Sequence, residues 1–441
     1  MKKLSLWLLL VLLLAMSLTG CQKKSALSSK NPVTLSLWHV YGEQADSPMN
    51  LLVEEFNETV GKEHGILINV TLMSNSFKIS ESLQESLADT PGSLEMPDLF
   101  FGSASTANAL GMEHLLDWKE YFSGQELANY VEGFLLDGTL EDKLIVFPVS
   151  KSSYALYLNG TQWKRFLADT GVTDDMLSDW DGFFDVAAAY YDWSGGKPFC
   201  AFDYLIRHVE LDVLANNGNL YTEDGWYDFD SQSLKDSWMQ FARALAQGHI
   251  VVSDQYANTQ VMTGETLAGL GSTAAILYYQ DTVTYPDNTS EPADLQILPI
   301  PKTAGKEGLM PQTGVGLCAV KTTEQKAEAA SLFIHWLTES DRNLKFVADT
   351  GYMPVTNEAF EAMEHYPFPE ESYARLYEAM KYMRDQYTPV VRPPYDDFYD
   401  RVDTLYESIR QIQPQLKNRS DHGENAALLA EETWELFRSI Q

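Results

Sequence analysis

Two periodicities alternate from residue 33 onward, and that alternation restricts the fold more than any other feature of this chain. Residues 33–40 switch between apolar and polar and are rich in β-formers, so they read as a strand. Ser47 and Pro48 then open a helix, the serine as cap and the proline in the first turn, where its missing N–H costs nothing. Leu51, Leu52, Val53, Phe56 and Val60 recur at helical spacing, and Gly61 with Gly65 is expected to end the helix. Residues 66–73 form the next strand. Such a unit requires a parallel strand pair joined by a right-handed crossover. The pattern recurs, with residues 77–87 helical, 97–101 a short buried strand, 106–116 a helix and 144–150 a strand. The fold class is α/β.

Length and charge narrow the reading. At 441 residues the chain is two to three times a typical domain, and a 45% hydrophobic share supports packed cores. The 31 Lys and Arg are outnumbered by 63 Asp and Glu, a formal net charge of -32. That surface repels phosphate backbones and anionic headgroups, which excludes nucleic acid as a partner and membrane docking through charge. Neutral or cationic partners remain. Three cysteines cannot build a disulfide framework and have no zinc-site spacing; Cys200 and Cys318 are expected as buried thiols.

Lys2 and Lys3 precede an apolar run at residues 4–18, too short to span a bilayer comfortably, so residues 1–20 read as an export signal. The Leu18-Thr19-Gly20-Cys21 stretch is similar to a bacterial lipobox, which implies a lipidated Cys21. A diacylglyceryl group supplies two chains, enough for stable anchoring. Residues 21–32 are polar and read as a flexible tether. The expected location is the extracellular face of the cell membrane, touched only through the lipid.

Further along, residues 154–158 read as a strand, and the chain to about Gly269 as mostly helical, with aromatic loops at residues 190–193 and 225–227. Residues 274–279 and 295–300 return to strand character, residues 324–338 form a helix, and residues 359–441 read as helical with no further strand. Seven segments then stand in a telling order. Leu37-Trp38-His39 is followed by a helix containing Leu52, Val53 and Phe56, and Pro97-Asp98-Leu99-Phe100 by small residues at 102–105. Phe147-Pro148 leads into residues 154–159; after these come Ala274-Ala275-Ile276-Leu277, Leu298-Pro299-Ile300-Pro301, Gly314-Val315-Gly316-Leu317 and Gly351-Tyr352-Met353-Pro354.

In this order the chain resembles the extracellular solute-binding proteins of ATP-binding-cassette importers, the family related to maltose- and oligosaccharide-binding proteins. The resemblance implies a two-lobed, type II periplasmic-binding-protein-like fold, its discontinuous α/β lobes joined by hinge strands. One lobe would take residues 33–148 and 302–348. The other would take 149–301 and 349–441, ending in a helical extension. Hinges are expected near 148–153 and 299–303, with a ligand in the cleft and lobe closure around it. The implied partners are a carbohydrate and the permease subunits of an importer; the chain would act as a monomer, with no cofactor, no metal and no enzymatic step.

Sugars present C–H faces and hydroxyl groups, so aromatic rings, carboxylates and hydroxyl side chains are the matching chemistry. Trp38, His39 and Tyr41 end the first strand, where ligands of open α/β sheets bind. Ser103 and Ser105 follow the third strand and suit hydroxyl recognition. Asp203 offers a carboxylate, and Trp226 and Tyr278 offer aromatic faces in the second lobe. Gly314, from one of the ordered segments above, is a further candidate, and Tyr352 belongs to a segment that resembles a ligand-lining loop. Trp38, Tyr278 and Tyr352 are the leading aromatic candidates, with core packing the competing role for Trp38. A non-sugar solute such as a polyamine or other cation is the alternative cargo. A surface glycoside hydrolase is the alternative enzyme, since two carboxylates suffice for that chemistry.

Overall fold

The computed structural model describes residues 25–41, 47–74, 76–348, 350–368, 370–395 and 398–441. The export signal, Cys21 and the start of the tether lie outside these residues. The expected strand and helix appear first: β1 (Val33–His39), α1 (Pro48–Phe56) and β2 (Ile66–Leu72), with β1 and β2 parallel and in register from Val33 with Ile66. Ser47 Oγ accepts the Asn50 N–H, as its capping role requires. Gly65 ends the helical stretch with φ of 74°, but Gly61 does not. The helix runs on through a widened turn at Asn57–Gly61, and a Cβ at Gly61 would lie 2.7 Å from the Ile66 carbonyl oxygen. Gly61 is there for close approach.

Next come α2 (Ser76–Leu87), β3 (Leu99–Gly102), α3 (Ala104–Leu110) and β4 (Phe147–Pro148). α3 is shorter than residues 106–116 because Gly111, at φ of 96°, stops it. The expected strand at 144–150 is reduced to β4 and a separate pair at Lys143–Leu144. The second group of strands starts with β5 (Tyr154–Leu158), followed by β6 (Cys200–Phe202), α4 (Leu205–Ala215), α5 (Gln232–Ala246), β7 (Ile250–Val251), β8 (Ala268–Ser272) and β9 (Gln296–Pro299). Residues 190–193, expected as a loop, belong to a helix at Trp180–Ser194. Residues 274–279 are not a strand either. They form a tight helical turn at Thr273–Tyr278, directly after β8. Gly269 and Gly271 disguise β8 in the sequence, because glycine weakens strand propensity. Both are required there: a Cβ would lie 2.8 Å from the Tyr279 hydroxyl at Gly269 and 2.4 Å from Asp203 Oδ2 at Gly271.

The remaining elements are β10 (Gly308–Pro311), β11 (Gly316–Ala319), α6 (Glu324–Leu337), α7 (Glu371–Gln386), β12 (Tyr387–Val390), α8 (Phe398–Asp421) and α9 (Ala426–Arg438). β12 overturns the expectation of a strand-free tail. It pairs with β10 in a two-stranded ribbon, where Pro389 is tolerated as it would not be in a central strand.

Two five-stranded mixed sheets organise the molecule, with orders β2-β1-β3-β11-β4 and β9-β5-β8-β6-β7. β11 is inserted antiparallel between β3 and β4, so the first lobe is completed only by chain from beyond the second. Asp98 fastens this arrangement: its carboxylate accepts the Ser36 N–H at 3.0 Å and pairs with Lys326 Nζ at 2.7 Å, tying β1 to α6. In the second lobe α9 packs on α5, where Trp238 meets the Phe437 ring at 4.5 Å and donates its indole N–H to Thr433 Oγ1 at 3.1 Å. Cys200 and Cys318 are buried free thiols, as expected.

Candidate functional site

The chain passes from the first sheet to the second between Pro148 and Tyr154. After β9 it stays with the second lobe, because β10 pairs with β12, and it re-enters the first sheet only at Gly316. The return segment therefore lies at 312–315, further along than the expected 299–303. There it runs beside the outgoing one: Ser152 and Thr313 exchange backbone hydrogen bonds of 3.1 and 3.0 Å, and their hydroxyl oxygens are 2.7 Å apart. A third segment joins on the other edge, where Lys151 and Met353 pair in the same way. Asn343, fully buried, holds two of the three, donating to the Val149 carbonyl at 2.6 Å and accepting from the Val355 N–H at 3.0 Å.

Above this ribbon lies a narrow cavity of about 70 Å³ with walls from both lobes. The first lobe contributes Ser103, Ala104, Ser105 and Asp137, the ribbon Gln312, Thr313 and Gly314, and the second lobe Arg207, Arg392, Pro393, Pro394 and Tyr399. Gly314 has φ of 98°, and a Cβ there would lie 3.3 Å from the Ser150 carbonyl oxygen. Asp137 is ion-paired with the buried Lys151. The lobes touch across the mouth: the Tyr395 N–H donates to Ser105 Oγ at 3.3 Å, and the Phe77 and Tyr399 rings meet edge to face at 5.3 Å.

A second cluster meets the ribbon at Ser150. The Tyr41 hydroxyl lies 2.9 Å from Ser150 Oγ, and the Tyr41 ring packs edge-on against Phe101, Phe346 and Tyr352. Burial, then the neighbouring Tyr278, pushes the Tyr352 hydroxyl up to about 12, so it stays a neutral donor at physiological pH. Tyr278 is 54% exposed beside it, on the helical turn rather than on a strand.

The ten sequence candidates therefore divide. Ser103, Ser105 and Gly314 come together in the cavity wall, and Tyr41, Tyr278 and Tyr352 form the aromatic cluster. Of the other four, His39 holds the Tyr41 backbone, and Trp38, Asp203 and Trp226 are elsewhere. Trp38 is 3% exposed in a core cluster with Phe100, Ile79 and Leu83. His39 is buried, its Nδ1 accepting the Tyr41 N–H at 3.1 Å and its Nε2 2.8 Å from Asn50 Oδ1. An acceptor Nδ1 puts the proton on Nε2, so this is a neutral imidazole, with burial lowering its proton affinity. Asp203 Oδ1 accepts the Ala257 N–H at 2.7 Å, at the start of the helix Ala257–Met262. Trp226 packs in the second core against Tyr395, with Arg401 over its ring. Sequence reasoning missed Arg207, Arg392, Asp137 and the Gln312–Thr313 pair. One signal was present: Arg392 precedes two prolines and a tyrosine, an isolated cation in a rigid aromatic segment of an acidic chain.

Among the described residues no group of three or more His, Cys, Asp or Glu is placed to hold a metal ion, and no helix is long and apolar enough to cross a membrane. No curated protein sequence matches this one. Solved structures do. The cyclic α-maltosyl-1,6-maltose binding protein of Arthrobacter globiformis superposes with a TM-score of 0.68 over 93% of this chain and 99% of its own, at 14% identity. The maltose-bound MalE3 of T. maritima gives 0.65 over 92% and 100%, at 16% identity. UgpB of Mycobacterium tuberculosis, in complex with glycerophosphocholine, gives 0.66 over 93% and 98%, at 17% identity. These likenesses establish the two-lobed α/β fold. A family model described as bacterial extracellular solute-binding protein matches residues 52–369, most of the chain, and this protein belongs to that family.

Proposed function

We propose that this chain is a lipid-anchored extracellular receptor that captures a carbohydrate and delivers it to the permease of an ATP-binding-cassette importer. The observation that carries the reading is the cavity between the lobes at the ribbon of crossing segments, with Ser103, Ser105 and Thr313 in its wall, together with Tyr41, Tyr352 and Tyr278, which meet the same ribbon at Ser150. Hydroxyl groups and aromatic faces are the chemistry that a polyol with C–H faces needs. Two structural neighbours named for sugar ligands support it. Residues 149–153, 312–315 and the stretch around Met353 would act as the hinge, with bound sugar shifting an open–closed equilibrium toward closure. Cys21 would carry the lipid, residues 22–32 the tether, and the closed form would be what the permease recognises.

Binding without catalysis is tested by thermal denaturation of the purified chain with mono- and oligosaccharides, amino acids, polyamines and metal ions. A ligand at about 100 times its Kd stabilises by about 2.7 kcal/mol, a clear rise in Tm. Shifts from a polyamine or metal ion, with none from any sugar, would refute the carbohydrate reading. Release of reducing ends from an oligosaccharide would instead establish a hydrolase.

A further inference from the structure

Inside the narrow cavity the described charges run against the acid excess of the chain. Arg207 and Arg392 both line the cavity, and one carboxylate serves them both: Glu210 Oε2 takes Arg207 Nη1 at 3.0 Å, and Glu210 Oε1 takes Arg392 Nε at 3.3 Å. The two guanidinium groups also share the Phe398 ring, with Arg392 3.2 Å and Arg207 4.7 Å from its centroid. The Tyr227 hydroxyl donates to Glu210 Oε1 as well, so Glu210 is fixed in place and its acceptor capacity is largely used. Opposite, Asp137 cannot supply a second counter-charge, because Lys151 already holds it. The described charged groups at the cavity thus leave one positive charge uncompensated.

A guanidinium presents a rigid fork of donors that matches the two oxygens of a carboxylate or phosphate, and Arg207 and Arg392 bring two such groups to the wall of one cavity. Ser103 and Ser105 add hydroxyl donors from the facing wall. We propose that the ligand carries one anionic group, a carboxylate or a phosphate, on its polyhydroxylated body, and that Arg392 with Arg207 binds that group between the lobes. This deepens the carbohydrate reading and rests on it. It also accounts for recognition against the grain of the molecule, since a net charge of -32 repels anions at long range and only a local, desolvated arginine pair can hold one.

The test is a thermal-shift panel, followed by titration calorimetry of the compounds that shift. It uses neutral oligosaccharides, oligogalacturonates, their methyl esters and sugar monophosphates. The expected result is stabilisation by acidic or phosphorylated sugars and at least about tenfold weaker binding of the matched neutral forms. Carboxylate against phosphate is decided by which arm shifts. Arg392→Gln is expected to lower the Tm of the free protein, because Glu210 loses a partner, and to weaken the acidic ligand about 10- to 100-fold when titrated below that Tm, with Arg392→Lys restoring part of the affinity as a point charge without the fork. Neutral sugars binding as tightly as their acidic counterparts, or Arg392→Gln folding normally and binding the acid unchanged, would overturn the proposal and leave the sugar receptor standing. No shift from any sugar, neutral or acidic, would overturn both.

Discussion

His208 sits among the rings of Tyr154, Trp180 and Phe202, and among the described residues neither of its ring nitrogens has a hydrogen-bond partner. Burial, then the adjacent Arg207, pushes its pKa down to about 3 from 6.5. The folded state therefore refuses a proton that the unfolded chain accepts below about pH 6.5, and stability falls as pH drops through that range. Asp203 does the reverse: burial raises it to about 6, so its contribution is fully present below about pH 4 and is lost as pH rises through 6. Replacing His208→Leu should remove about 2 kcal/mol of the stability lost between pH 7 and pH 5, leaving the Asp203 trend exposed. Urea denaturation at the two pH values checks this, and an unchanged pH difference refutes it. Asn343 offers a second test. Asn343→Ala strands the Val149 carbonyl and the Val355 N–H, both inside the crossing ribbon, and should cost about 2–4 kcal/mol. A loss below about 0.5 kcal/mol, measured by the same denaturation, would show that these bonds do not hold the crossing segments together.

Elements differ in how plainly they announce themselves. β1, α1 and β2 were legible because the buried residues keep a clean period at the start of β1, along α1 and at the start of β2, and the Ser47 cap agrees with it. β8 was not, since Gly269 and Gly271 serve neighbours 50 or more positions away in some cases, and no local pattern encodes that contact. β12 was hidden by Pro389 for the same kind of reason. The cavity wall was half legible: serines and a glycine following strands are local signals, whereas Arg207 and Arg392 meet only because α4 and the segment before α8 converge on Glu210. Trp38 and Trp226 misled because tryptophan suits a core as well as a cleft. The tail was legible as helix but not as core. α9 covers Trp238 and Phe229 with Phe437 and Trp434, so it is an integral wall of the second lobe. Deleting residues 422–441 should expose those aromatic rings and lower Tm by well over about 5 °C, with binding of a hydrophobic dye. A shortened chain with the parent Tm would show instead that α9 is an appendage.

At the scale of the whole molecule the question is what holds two lobes together. The mouth contacts described include an edge-to-face pair, Phe77 with Tyr399, and a hydrogen bond from Tyr395 to Ser105. Together these are worth about 1–3 kcal/mol, comparable with the free-energy gap of a typical open–closed equilibrium. The ribbon beneath carries the permanent connections, and the mouth only biases closure. Phe77 is half exposed, so Phe77→Ala should cost the fold little while removing about 1 kcal/mol of closing bias. A ligand that binds the closed form would then show an apparent Kd raised up to about fivefold, through the smaller closed fraction alone. Two measurements separate this from damage at the site. Small-angle scattering of the ligand-free variant should give a larger radius of gyration than the parent, and saturating ligand should bring both to the same value. A variant that binds more weakly at an unchanged radius would place Phe77 in contact with the ligand rather than in control of the lobes.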